Sequence, residues 1–168
     1  MTYFALTRNK NLYQKVAEIL DEKFGCRRTI EIDFSSPKPA LAGAYAGVYD
    51  FSISHSGHLA AIAVSDKSIG CDLELLKGRA RAAVIKRFCS EEREAIKSER
   101  DFIENWTGKE AFIKMNAFSL ATHLRRLKYV DGRIWLDGCE QNCEIVHLPF
   151  DGGTACVCGD GDIKIITI

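Results

Sequence analysis

Neither sign of charge prevails in this sequence: lysine plus arginine number 23, and aspartate plus glutamate also 23. The basic excess of a general nucleic-acid binder is missing, so no nucleic-acid partner is expected. No apolar run approaches the roughly 20 residues that cross a bilayer. The opening "MTYFALTRNK" lacks the charged-then-apolar pattern of a secretory leader. A soluble, cytoplasmic chain with no membrane partner is therefore expected. Low-complexity segments and internal repeats are absent as well. Cysteine is present, but its odd count of seven fits a reducing compartment better than a disulfide framework. Cys139, Cys143, Cys156 and Cys158 can be read as a zinc cluster, but the spacings C-x3-C and C-x-C are poor for zinc. Cys156 and Cys158 also lie in a strand-like run, where cysteine serves as a small core residue.

What is there suits a packed fold. The 168 residues are 46% hydrophobic and 27% charged, enough for one domain or two small halves sharing a core. "TYFALT" reads as a strand, and "NLYQKVAEILDEKF" as a helix with Leu12, Val16, Ile19, Leu20 and Phe24 on one face and Gly25 as its stop. "RTIEIDF" alternates as a strand, with Ile30, Ile32 and Phe34 on one face. A loop rich in proline and small residues follows. "VYDFSIS", "LAAIAVS" and "IGCDLEL" are three strands joined by turns short enough for an antiparallel meander. Beyond Leu76 the chain turns basic, with Lys77, Arg79, Arg81, Lys86 and Arg87 and no acid among them. Ser90 is placed to cap a short helix with Glu91 and Glu92 in its first turn. A second long helix is expected over about residues 100–115. The tail reads as short strands, including a hairpin with Asp131 and Gly132 at its turn. The class is α+β, with halves 1–76 and 77–168.

The polar residues that fit this pattern least are three acids. In "SIGCDLELL", Asp72 and Glu74 fall on one face of a strand, roughly 7 Å apart. Either that face is wet or a cation belongs between them. In "ERDFIENWTGKEAFIKMNA", Phe102, Trp106 and Ile113 form an apolar stripe, and Glu110 occupies a slot within it, while Lys109 points elsewhere. Burying an unpaired carboxylate is costly. Glu110 therefore sits at the stripe's edge beside Lys114, four residues on, or meets another positive group. Oxygen-only ligands suit a hard cation, and Mg²⁺ in particular combines a few carboxylates with phosphate oxygens. "FSISHSG" brings Ser54, His55 and Ser56 to a turn at Gly57, where amides and an imidazole can meet a phosphate or simply face solvent. "PKPA" stiffens the segment around Lys38, which is otherwise an ordinary loop lysine.

Taken in order, "FSISHSG", "IGCDLE" and "WTGKEAFIK" resemble the signature of phosphopantetheinyl transferases of the surfactin-activating type. That pattern is roughly F-N-I-S-H-S, then G-[IV]-D-x-E, then W-[ST]-x-K-E-[SA]-x-x-K. "PKPAL" is similar to the family's G-K-P segment, and the likeness runs from about residue 30 to 120. The resemblance implies transfer of the 4′-phosphopantetheine arm of coenzyme A to a serine of an apo acyl or peptidyl carrier protein. It implies the family's fold of two similar α/β halves about a pseudo-twofold axis, here with a shortened N-terminal half, and a monomer. By the same resemblance Asp72, Glu74 and Glu110 hold Mg²⁺, and Glu110 is the base for the carrier serine. Lys114 and His55, with Ser54 and Lys109, contact coenzyme A, while Lys38 and Pro39 lie along its nucleotide. Arg8 and Lys10 are further phosphate candidates. The basic run from Lys77 to Arg87 is the expected docking surface for an acidic carrier, or else a solvated face. A coenzyme A- or carrier-binding module without catalysis, and a Mg²⁺-dependent phosphohydrolase, are the other readings. The chain departs from the pattern at Pro37, Ser52 and Cys71, and "MNAFSLATHL" stands where the family has glycines.

Overall fold

A computed structural model describes residues 1–8, 10–77 and 82–167. In chain order its elements are β1 (Thr2–Arg8), α1 (Leu12–Phe24), β2 (Glu31–Asp33), β3 (Ala40–Ala42), a 3-10 turn at Gly43–Tyr45, β4 (Asp50–Ser56), β5 (Leu59–Ser65) and β6 (Ile69–Leu75). Then come α2 (Ala82–Ile85), α3 (Ser90–Ala95), α4 (Glu99–Met115) and α5 (Leu120–His123), followed by β7 (Leu127–Val130), β8 (Arg133–Leu136), β9 (Cys139–Glu140), β10 (Glu144–Phe150), β11 (Gly153–Gly159) and β12 (Ile163–Ile165). The α+β class agrees with expectation.

Two sheets dominate, in the orders β12-β1-β5-β4 and β10-β11-β6. Strand alternation sorts their side chains. Ala61 and Ala63 of β5, with Phe4, meet Ile69, Cys71 and Leu73 of β6 and Ala155 and Val157 of β11, so the two sheets share a core. The alternate residues Ile62 and Val64 turn the other way, against Val16, Ile19 and Leu20 of α1. On the far side, Cys156 and Cys158 of β11 pack with Ala111, Phe112 and Ile113 of α4. The layers run helix, sheet, sheet, helix.

The meander stops at two strands. β4 and β5 form the expected hairpin, turning at Gly57 and His58. β5 is already paired on its other edge by β1, which leaves β6 no partner there. β6 pairs antiparallel with β11 instead, and Asp72 lies opposite Cys156. Pairing crosses the boundary near residue 76 a second time, since β12 lies parallel to β1.

Other differences are local. "RTIEIDF" is a strand only over Glu31–Asp33, because the Asp33 carboxylate accepts from the Ser35 backbone N–H and hydroxyl, both at 2.8 Å, and bends the chain away. Phe34 is left exposed, edge-on to Tyr13. Cys89 rather than Ser90 caps α3, because its N–H is bonded to the Glu92 carboxylate at 3.0 Å. Ser98 and Asp101 cap α4 reciprocally. The hairpin β7–β8 turns at Asp131 and Gly132, both with positive φ as such a two-residue turn requires. Among the described residues no helix is long and apolar enough to cross a membrane.

Candidate active site

Alternation along β6 sends Ile69, Cys71 and Leu73 into the core between the sheets. Gly70, Asp72 and Glu74 therefore face α4. Helix and strand touch at Gly70: a Cβ there would stand 1.9 Å from the Ala111 carbonyl oxygen. Only glycine permits this approach, and it brings Glu110 and Lys114, one turn apart on α4, over the acids of β6. A cavity of about 270 Å³ collects Ser54, His55, Asp72, Glu74, Glu110 and Lys114 in its lining. The three acids singled out in the sequence thus share one pocket.

Lys114 takes the central position. Its Nζ lies 2.7 Å from Asp72 Oδ1 and 3.9 Å from Glu110 Oε2. Burial is the largest single influence and lowers the lysine pKa, but the charge and hydrogen bond of Asp72, together with Glu110 and its other neighbours, outweigh it and the net shift is upward. Ser54 donates to the same Oδ1 at 2.6 Å. The other carboxylate oxygen, Asp72 Oδ2, is buried with no hydrogen-bond partner among the described residues. Ser56 donates to Glu74 Oε2 at 3.1 Å, and Lys77 Nζ stands 3.9 Å from that oxygen.

Among the described residues no three His, Cys, Asp or Glu side chains converge as a formed metal centre. The Lys114 ammonium lies within reach of both Asp72 and Glu110. The donor set nevertheless fits a hard cation. Asp72, Glu74 and Glu110 are carboxylates lining one pocket, and one buried oxygen of Asp72 lacks a partner among the described residues.

A second cavity, about 420 Å³, adjoins the first and shares Ile53, His55 and Lys114 with it. Leu12, Tyr13, Pro37, Lys38, Pro39, Phe51 and Ser52 complete a largely apolar lining. His55 is exposed where the two meet. Lys38 is anchored, with Nζ 2.5 Å from Asp50 Oδ2 and 2.8 Å from the Ile69 carbonyl oxygen. Arg8 is exposed in a separate groove with Lys15 and Phe150.

Lys109 needs correction. The resemblance has it contacting coenzyme A, but its side chain has no exposure at all. Its Nζ is 2.5 Å from Glu92 Oε1 and 4.0 Å from the centre of the Phe88 ring. Burial lowers its pKa, against the pull of Glu92. Glu92 is itself a buried hub, accepting from the backbone N–H groups of Tyr129 at 2.7 Å and Cys89 at 3.0 Å. This network ties α3, α4 and β7 together behind the site. Ser54, expected at a phosphate, is buried and turned onto Asp72.

Two features escaped the sequence reading, Glu92 and the spacing in "DFSISHS". Its polar residues Asp50, Ser52, Ser54 and Ser56 recur with period two and all meet β6. Of the expected docking run, Lys77, Lys86 and Arg87 are exposed, and Arg79 and Arg81 lie outside the described residues.

Residues 68–144 match the model of the 4′-phosphopantetheinyl transferase superfamily. The matched segment holds Asp72, Glu74, Lys109, Glu110 and Lys114, while Lys38, Ser54 and His55 precede it. No curated protein matches the chain. The match supports transferase chemistry of that superfamily, whose members act on carrier proteins with coenzyme A.

Proposed function

We propose that this chain transfers the 4′-phosphopantetheine arm of coenzyme A to a serine of an apo acyl or peptidyl carrier protein, as enzymes of the surfactin-activating type do. One observation carries the reading: the cavity that Asp72, Glu74, Glu110 and Lys114 line together, all within the matched segment. Asp72, Glu74 and Glu110 would hold Mg²⁺. When bound, that ion neutralises pyrophosphate charge and makes the phosphorus a better electrophile.

The chain's own groups divide the remaining work. The carrier serine oxygen bonds to the phosphorus bearing pantetheine, and its proton passes to the Glu110 carboxylate. The bond from that phosphorus to the oxygen of adenosine 3′,5′-bisphosphate breaks. Lys114, on the border of both cavities, stabilises the charge that builds there. Lys38, Pro39, Tyr13 and Phe51 suit the nucleotide end, with His55 toward its phosphates. In this reading residues 1–76 and 77–168 are related halves of one cytoplasmic, monomeric unit with the site between them.

The test uses purified protein, coenzyme A, Mg²⁺ and a panel of fatty-acid, polyketide and peptide apo carriers. Intact-mass measurement should find one phosphopantetheine added per carrier. Binding of coenzyme A with no transfer to any carrier would leave a non-catalytic module, and hydrolysis of coenzyme A without a carrier would make it a phosphohydrolase. Glu110→Gln should abolish transfer while coenzyme A still binds; full activity would remove Glu110 as the base.

A further inference from the structure

We propose that Lys114 makes metal binding conditional on coenzyme A: its ammonium shields the carboxylates until anionic phosphates draw it into the adjoining cavity. The inference rests on the reading of the site given above. Lys114 Nζ bonds Asp72 Oδ1 at 2.7 Å and faces Glu110 Oε2 at 3.9 Å, so it sits among the oxygens that a divalent cation needs. The charges meet where side-chain exposure is 26% for Lys114, 20% for Glu110 and 4% for Asp72, so solvent screens them poorly. A divalent ion entering beside the ammonium meets direct repulsion.

The same lysine borders the second cavity, and its flexible four-carbon stem lets the charge move. The other lysine in that lining is not equivalent, because Lys38 is tied to Asp50 and to the Ile69 carbonyl. Asp72 keeps its Ser54 bond when Lys114 leaves, so its carboxylate remains aimed and its buried Oδ2 remains ready to ligate. Linkage makes the effect reciprocal: the factor by which coenzyme A tightens the metal is the factor by which the metal tightens coenzyme A.

The experiment titrates the wild type, Lys114→Gln, Lys114→Met and Lys114→Arg with Mn²⁺, followed by electron paramagnetic resonance of the free ion. Each titration is run with and without coenzyme A at one fixed pH. Thermal melting establishes that each variant is folded. The two neutral variants should bind Mn²⁺ alone at least about tenfold more tightly than the wild type, and coenzyme A, whose pyrophosphate oxygens attract the ion in every variant, should tighten it by a smaller factor than in the wild type. The wild type and Lys114→Arg should bind weakly alone and gain strongly with coenzyme A. Equal Mn²⁺ affinity in all four proteins, or the same gain from coenzyme A in all four, overturns the inference and leaves the metal site standing. Mn²⁺ binding by none of them under either condition overturns the metal site as well.

Discussion

Ser54 donates its hydroxyl to Asp72 Oδ1 at 2.6 Å across a seam between two sheets that share no backbone ladder. The rest of β4 repeats the pattern. Asp50 Oδ2 accepts from the Ile69 N–H at 2.9 Å, Ser52 Oγ from the Cys71 N–H at 2.9 Å, and Ser56 bonds Glu74. Side chains at every second residue thus replace main-chain pairing between β4 and β6. The substitution has a consequence for the site, because carboxylates on β6 can be held by the seam and still face a cavity.

Removing one stitch should therefore disturb stability and chemistry together. Ser54→Ala takes a donor from a buried carboxylate, a loss of about 1.5–3 kcal/mol for a hydrogen bond to a charged group. Ser56→Ala should lose less, since Glu74 is more exposed and also faces Lys77. Urea denaturation measures the first effect, and transfer rates at saturating coenzyme A the second. Equal losses for the two variants would mean that Asp72 is not specially dependent on the seam.

Gly70 tests how closely α4 must lie on β6. In Gly70→Ala the new methyl meets backbone at the Ala111 carbonyl, with no flexible side chain to yield. A loss of about 3 kcal/mol, the upper part of the overpacking range, is expected. Transfer should fall further than stability explains, because Glu110 and Lys114 move with the helix. A melting temperature within error of the wild type would show that the helix is free to shift.

The buried pair behind the site makes a double-mutant prediction. Lys109→Met leaves Glu92 charged and enclosed, and Glu92→Gln leaves Lys109 so; each should lose about 3–5 kcal/mol. The double variant should recover much of that, because neither uncompensated charge remains. Chemical denaturation of the four proteins gives the coupling. Additive losses would show that the two groups do not act as a pair.

Lys109 also shows where sequence reading fails. The stripe through Phe102, Trp106 and Ile113 passes through 109 as readily as through 110, and a lysine is read as exposed unless its partner is known. That partner, Glu92, sits on a different helix, so no local spacing reveals it. Helix α1 was legible from its apolar period and the Gly25 stop, since both signals are local. The pairing of β6 with β11 was not, because it depends on which edges β1 and β4 had already filled. Asp72, Glu74 and Glu110 stood out because each breaks the pattern of its own element, and tertiary packing then brought them to one pocket. Lys114 was visible as a neighbour of Glu110, but its stronger bond to Asp72 required the helix to be laid across the strand.

His147 gives a dependence on pH with a definite sign. It lies on β10 with Nε2 2.8 Å from the Tyr129 hydroxyl, while its Nδ1 is buried without a partner among the described residues. Burial holds the imidazole pKa below its ordinary value and raises that of the Tyr129 phenol, so both groups of this hydrogen-bonded pair stay neutral. The unfolded chain, with a histidine pKa of about 6.5, then binds more protons than the folded one between that value and the depressed native pKa. Stability is accordingly full above about pH 6.5 and declines as pH falls through this window, by at most about 1.4 kcal/mol per pH unit from this one group. In His147→Asn that part of the slope should vanish, although the variant starts less stable for want of the Tyr129 bond. Denaturation at closely spaced pH values from about 7.5 to 5 separates the two effects. An unchanged slope in the variant would mean that the imidazole takes up its proton in the folded state as easily as in the unfolded one.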